Sequence, residues 1–378
     1  MTISDNPLRQ LENFGQSLWL DYIRRNLLFS PEFRRLIEED GLRGMTSNPT
    51  IFEKAIAGSS DYDEQFAELV RNQKSIDEIY EALTTDDIKR AADALRPLYD
   101  ATDGRDGFVS YEVSPRLAND TSGTIAAAHR YFELIGRPNL MVKVPATPAG
   151  LPAVEQLISE GRNINITLMF SVKHYAAVAE AYIRGLEKRA QARLPLTRVA
   201  SVASVFVSRV ETLADKRLEE KLKARPDEAS AALRGTAAVA NAKLIYHRFK
   251  EIFGSDRFKQ LQAKEARVQW PLWASTGTKN PAYSDIKYVQ ELIGPDTVNT
   301  MPPATMDAFR DHGLPRATLE QGLAEAAETV RRLNEAGIDL IEIGEELQQE
   351  GVESFDKSFV DLLETIESRR AALIAASS

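Results

Sequence analysis

Eight short apolar, β-prone runs recur along the chain with helical stretches between them, and this alternation limits the fold more than any other feature. They are SLWLDYI (17–23), LRGMTSNP (42–49), GFVSYEV (107–113), NLMVKVPAT (139–147), INITLMFS (164–171), VASVASVFVS (199–208), VQWPLWAS (268–275) and TVNTMPPAT (297–305). Several are almost continuously apolar rather than alternating, which is the pattern of parallel strands covered on both faces. The connections are long enough for crossover helices. Amphipathic helices read out of them, as in GLPAVEQLISEG (150–161), with a glycine at its C-terminal end, and SVKHYAAVAEAYIRGLEKRAQ (171–191). Eight such units predict one α/β domain, a (β/α)8 TIM barrel with additional helices. An open doubly wound sheet usually carries a glycine-rich phosphate loop after an early strand, and neither GxGxxG nor GxxxxGK[ST] occurs in this sequence.

Two helical excursions interrupt the alternation. Residues 49–106 carry DYDEQFAELVRNQ and TTDDIKRAADALRPLYDA, and residues 211–254 carry two helical stretches joined by KARPDEAS, which reads as an exposed turn. Beyond residue 313 the pattern is helical to the end. We read 314–378 as a C-terminal helical extension of a single domain spanning 1–378, and expect part of it to cover the barrel mouth. The sequence contains no internal repeat and no low-complexity tract.

Composition narrows the chemistry. With 378 residues, 43% hydrophobic and 27% charged, the chain is an ordinary globular protein. No run reaches the roughly 18 apolar residues of a membrane span, and MTISDNPLRQLENFGQ lacks the basic start and apolar core of a signal peptide, so the expected address is the cytoplasm. The absence of cysteine removes disulfides, thiolate catalysis and thiolate metal sites. The four histidines, His129, His174, His247 and His312, have no paired spacing; they read as surface or capping residues, and no metal site is expected. A net charge of −9 disfavours nucleic acid and membrane surfaces as partners.

In a barrel of this kind the C-terminal strand ends form the active site, so polar residues set in or just after these runs are the candidates. Lys143 in LMVKVPA is the foremost. Burial disfavours a charged ammonium and so favours the neutral amine that attacks a carbonyl, whereas a lysine that only snorkels out to a carboxylate is the competing reading. Asp21 in LWLDYI and Glu112 in VSYEVSP add two acids at the same rim. An amine with two carboxylates is the set a Schiff-base aldol reaction needs; helix capping, or pairing with Arg24 and Arg116, is the alternative for the two acids. Thr46, Asn48, Asn165, Thr167 and Ser204 are small polar residues suited to sugar hydroxyls or to internal hydrogen bonds. Arg209, Ser275 and Lys279 follow the sixth and seventh runs, where many barrels bind phosphate, although solvated salt bridges would also account for the two cations.

Taken together, these segments resemble the transaldolase family in its longer bacterial form. The likeness runs from about residue 11 to 305 and is weaker in the C-terminal helices. It rests on GMTSNPTIF (44–52), LMVKVPAT, GLPAVEQLISEGRNINITLMFS, SVFVSR (204–209) and WASTGTKNP (273–281), in that order along the chain. The resemblance implies a circularly permuted class I aldolase barrel that needs no cofactor and acts as a transferase. It implies Lys143 as the Schiff-base lysine, Asp21 as the acid and base for carbon–carbon cleavage, and Glu112 with Thr167 as the pair handling the catalytic water. Asn48, Asn165 and Ser204, with Thr46 nearby, would hold a dihydroxyacetone unit, and Arg209, Ser275 and Lys279 the phosphate. Shorter members place an arginine close after the seventh-strand serine. This chain reads STGTKN there, so the cation is Lys279 or another residue.

The resemblance further implies sugar phosphates as substrates, namely sedoheptulose 7-phosphate and glyceraldehyde 3-phosphate exchanging to erythrose 4-phosphate and fructose 6-phosphate in the pentose phosphate pathway. It leaves the assembly as monomer or homodimer. Two rivals stay open: a fructose-6-phosphate aldolase that releases free dihydroxyacetone, and a non-catalytic barrel that only binds sugar phosphates.

Overall fold

The computed structural model describes residues 5–377. Its eight strands are β1 (Gln16–Asp21), β2 (Leu42–Thr46), β3 (Phe108–Glu112), β4 (Leu140–Pro145), β5 (Ile164–Met169), β6 (Ser201–Phe206), β7 (Trp270–Ala274) and β8 (Thr297–Met301). All neighbouring pairs are parallel, and β1 pairs with both β2 and β8, closing the barrel in sequence order. Seven of the eight apolar runs contain a whole strand, and the first overlaps β1, which starts one residue earlier at Gln16. The first strand stops earlier than SLWLDYI suggests, at Asp21, which leaves Tyr22 and Ile23 to lead into the next helix.

Side chains alternate between lumen and helix layer along each strand. Ser17, Trp19 and Asp21 share one face of β1, while Leu18 and Leu20 point to the surrounding helices. Trp19 fills the lower lumen and lies against Gly44 of β2, where a Cβ would sit 2.4 Å from the indole; no larger residue fits there without displacing the ring. Asp106 accepts from the Trp19 indole N–H at 3.1 Å, from Ser17 at 2.6 Å and from Arg43 at 2.7 Å, which anchors that end of the barrel.

Local capping interactions start several helices. Asn48 caps the Pro49–Ala57 helix by accepting from Ile51 N–H at 2.9 Å, with proline at the first helical position. Ser75 and Glu78 form a reciprocal capping box on Ile76–Ala101, and Ser171 caps Val172–Gln191. The first excursion therefore holds three helices, Pro49–Ala57, Asp63–Arg71 and Ile76–Ala101. In the second, KARPDEAS is more than a turn: Asp227 caps a short helix, Glu228–Ala231, between Ser208–Ala224 and Ala237–Phe253. Past residue 313 the chain is not helical throughout, since an irregular stretch separates Pro303–His312 from Leu323–Glu335.

The last helix, Leu340–Ser377, lies across the C-terminal rim of the barrel. Gln348 Nε2 donates to the carbonyls of Ala146 at 3.1 Å and Leu168 at 3.0 Å, beyond β4 and within β5. Farther along, Ser358 shares a 2.8 Å hydroxyl contact with Thr50, and Arg369 donates to the Ile56 carbonyl at 3.0 Å. Gly351 sits against Leu168, where a Cβ would approach to 2.8 Å, so the helix backbone rides directly on the strand end. Among the described residues no helix is long and apolar enough to cross a membrane.

Candidate active site

Parallel register sets the candidate side chains side by side at the C-terminal rim. Asp21 is aligned with Thr46, and Glu112, Lys143 and Asn165 are aligned across β3, β4 and β5. Lys143 is 4% exposed in a wholly buried strand. Its Nζ lies 3.1 Å from Glu112 Oε2 and donates to the Ser47 carbonyl at 3.2 Å. The lysine therefore does not snorkel to solvent; its partner is a carboxylate as buried as itself.

Burial pushes the Glu112 carboxyl above the usual carboxylate range, against the lowering effect of Lys143. Asp21 keeps partial access to the well, yet enough protein surrounds it that burial raises it too. Lys143, the hydrogen bond from Thr46, Lys279 and Arg209 all oppose that rise. Thr46 Oγ1 donates to Asp21 Oδ1 at 2.7 Å and meets Thr300 Oγ1 at 2.8 Å. The competing partners for the acids are engaged elsewhere: Arg24 pairs with Asp61 at 2.7 Å and Arg116 with Asp356 at 3.8 Å.

A polar chain runs deeper. Asn165 donates to Ser110 Oγ at 2.9 Å and accepts from Ser204 Oγ at 2.7 Å. Thr167 Oγ1 is buried without a hydrogen-bond partner among the described residues, and Glu112 Oε2 has none beyond its ion-pair contact with Lys143. Buried polar atoms ordinarily find partners, so Thr167 Oγ1 and Glu112 Oε2 have hydrogen-bonding capacity left for water or a substrate hydroxyl.

The well above these groups has a volume of about 280 Å³. Asp21, Thr46, Asn48, Lys143, Ser204, Arg209, Ser275 and Lys279 all border it, and Asn165, Glu112 and Thr167 lie behind that wall. Ser275 holds a left-handed backbone (φ 56°), uncommon for a non-glycine residue, and is tied to Ser208 by a 2.8 Å hydroxyl contact. Arg209 and Lys279 form no ion pair with a carboxylate among the described residues, so the solvated salt bridges that would otherwise account for them are absent. The Arg209 guanidinium instead lies 5.3 Å from the Phe206 ring and 6.0 Å from that of Phe355, and burial lowers it below the usual arginine value.

Four further residues border the well that the strand-end argument does not reach. Thr50, Ile51 and Lys54 lie on one face of the Pro49–Ala57 helix, and Phe355 comes from the last helix. The spacing Thr50, Ile51, Lys54 after an Asn-Pro cap is a helical i, i+1, i+4 face and could have flagged the first three. Phe355 carries no local signal, because its helix reaches the rim only through tertiary packing. A larger hollow of about 530 Å³ opens at the N-terminal end of the barrel between Trp19, Phe108 and Trp270, and no lysine lines it. His129, His247 and His312 pair with carboxylates at the surface, whereas His174 is buried, accepts from Phe170 N–H at 3.4 Å and lies 3.5 Å from Glu345.

An amine and two acids around a polar well can form and hydrolyse an imine and move protons at neighbouring carbons. The cations along one wall, which form no close ion pair among the described residues, suit an anionic end of the same molecule.

Comparison with known proteins adds independent findings. The model of a family described as transaldolase/fructose-6-phosphate aldolase matches residues 18–366. A transaldolase of Trichodesmium erythraeum is 47% identical over 370 residues, covering 96% of this chain and 97% of its own. One from Saccharopolyspora erythraea is 48% identical over 370 residues, covering 98% and 99%. A protein named transaldolase 2 from Nostoc punctiforme is 46% identical over 374 residues, covering 97% and 98%.

Proposed function

The chain belongs to the transaldolase/fructose-6-phosphate aldolase family, and on that premise we propose that it transfers a dihydroxyacetone unit from sedoheptulose 7-phosphate to glyceraldehyde 3-phosphate through an imine on Lys143. The products are erythrose 4-phosphate and fructose 6-phosphate, an exchange of the pentose phosphate pathway. The observation that carries this reading is the buried Lys143–Glu112 pair, 3.1 Å apart, beneath a well that Asp21 also enters.

Each step has a group within reach. Lys143 adds to the ketose carbonyl, and Glu112 with Thr167 relays the protons that dehydrate the carbinolamine. The iminium withdraws electrons from the C3–C4 bond while Asp21 takes the C4 hydroxyl proton. The aldose phosphate then leaves, and three carbons remain on Lys143 as an enamine until an acceptor aldehyde enters. Asn165, Ser204, Asn48 and Thr46 hold the hydroxyls of that unit. Arg209, Ser275 and Lys279 take the phosphate.

The barrel, its excursions and the C-terminal helices act as one domain. The proposed setting is the cytoplasm, as a monomer or homodimer that needs no cofactor.

The test is incubation with fructose 6-phosphate and borohydride, followed by digestion and mass spectrometry. A reduced three-carbon adduct on Lys143, absent in Lys143→Ala, is expected. A folded protein without an adduct would leave a barrel that binds without reacting. Product analysis with and without acceptor aldehyde then separates transfer from release of dihydroxyacetone.

A further inference from the structure

The ring of Phe355 lies 6.0 Å from Lys143 Nζ and 6.0 Å from the Arg209 guanidinium, so one side chain of the last helix faces both the imine-forming amine and the phosphate-side cation. Phe355 is 3% exposed and borders the well. It is held on both sides along its helix. Gln348 fixes one side to the Ala146 and Leu168 carbonyls, and Ser358, with Thr50, fixes the other side to the Pro49–Ala57 helix. Arg116 adds contacts to Asp356 and to the Phe359 ring. Two polar atoms lacking hydrogen-bond partners, Thr167 Oγ1 and Glu112 Oε2, belong to β5 and β3 below. The site therefore has a polar floor and, at Phe355, an apolar roof.

We propose that Phe355 determines whether the bound three-carbon unit is transferred or lost, by keeping bulk water off the outer side of the enamine. This rests on the imine chemistry of Lys143 proposed above. On the transfer branch, enamine C3 attacks the acceptor aldehyde carbon, a C–C bond forms, and the new alkoxide takes its proton from Asp21. On the loss branch, C3 takes a proton delivered by water. A second water adds to C2 of the resulting iminium, the C2–N bond breaks, and dihydroxyacetone leaves with Lys143 returned as the amine. Imine hydrolysis closes both branches and belongs to the polar floor. Protonation at C3 belongs to the loss branch alone, and an apolar roof suppresses it.

The experiment measures two rates in the full-length protein: dihydroxyacetone released from fructose 6-phosphate alone, and transfer from it to erythrose 4-phosphate. Phe355→Ala is expected to raise the ratio of release to transfer roughly tenfold, and Phe355→Leu, which keeps apolar bulk, to stay within about twofold of the wild type. Should the alanine variant fail to fold by circular dichroism, Phe355→Val carries the same expectation at smaller size. A merely structural role would lower both rates together and leave their ratio unchanged, which would overturn the proposal. A leucine variant as leaky as alanine would overturn it too. A wild type that performs no transfer while trapping no adduct would instead overturn the functional reading on which the proposal rests.

Discussion

Glu112 and Lys143 are register partners on β3 and β4, and their charged ends meet at 3.1 Å with both side chains about 95% shielded from solvent. Burial raises the carboxyl, against the lowering effect of the neighbouring amine, so its protonated form is easier to reach than that of an exposed glutamate. A group with that property suits carbinolamine dehydration, which needs an acid in one step and a base in its reverse. Glu112→Gln keeps the size and one acceptor but cannot relay a proton. It is expected to lower kcat about 10²- to 10⁴-fold with little change in KM, and to slow adduct trapping on Lys143 in parallel. Steady-state kinetics beside timed borohydride quenching checks this, and a kcat within about threefold of the wild type would remove Glu112 from the mechanism.

Asp21 gives a pH signature whose direction is fixed by its surroundings. Burial holds it above its ordinary value of 3.8, outweighing Lys143, the Thr46 hydrogen bond, Lys279 and Arg209. The folded state therefore binds that proton more tightly than the unfolded chain. Its stabilising contribution is fully present below the unfolded value and is lost as pH rises through the higher folded one. The amide of an Asp21→Asn variant does not titrate and still accepts from Thr46. Wild-type stability relative to that variant is thus expected to fall as pH rises above about 4 and to level off once the raised folded value is passed. Urea unfolding of both proteins across pH reads the difference; a relative stability that climbs with pH would mean that the ionised carboxylate is the favoured form.

The cations along the well are the third point of test. Arg209→Met removes a charge that forms no close ion pair among the described residues, although Glu350 and Asp21 feel it at longer range. Loss of charge-assisted hydrogen bonds to a phosphate, about 1.5–3 kcal/mol, should raise KM for fructose 6-phosphate roughly 10- to 100-fold. The same variant should handle an unphosphorylated ketose no worse than the wild type. Lys279→Met and Lys54→Met on the same pair of donors apportion the effect between the segment after β7 and the Pro49–Ala57 helix. Equal losses on both donors would show that these side chains shape the well without reading the phosphate.

The barrel was legible because each strand is a short apolar run, and the lumen-facing polar residues stand out within such runs. Lys143 between Val142 and Val144 is the plainest case. Its partner is legible only through register, since nothing in GFVSYEV states that Glu112 will lie beside Lys143 rather than Arg116. Phe355 is silent for a different reason. Leu340–Ser377 is long and its apolar residues follow helical spacing, so its secondary structure can be read locally but not the face of the barrel it crosses. That choice is made by contacts far apart in the chain, such as Gln348 with the Leu168 carbonyl. Lys54 falls between these cases, six residues beyond a legible cap and on a face defined only once the helix is docked.

Gly44 links the lower lumen to the chemistry above it. Its missing Cβ leaves room for the Trp19 indole, which a methyl group would meet at 2.4 Å, and Trp19 is 1% exposed with its N–H held by Asp106. Gly44→Ala must therefore either displace the ring or push β2 away from β1. Overpacking of this kind costs about 1–3 kcal/mol, which denaturant unfolding resolves as a lowered midpoint with an unchanged slope. Asp21 lies two residues after Trp19 on the same face of β1, and its hydrogen bond to Thr46 spans the same pair of strands, two positions beyond Gly44. A shift between β1 and β2 is expected to lengthen that contact and lower kcat for carbon–carbon cleavage, while adduct formation on Lys143, which depends on β3 and β4, proceeds near the wild-type rate. An alanine variant of full stability and full activity would mean that the indole is free to move, and that the lower lumen does not set the position of Asp21.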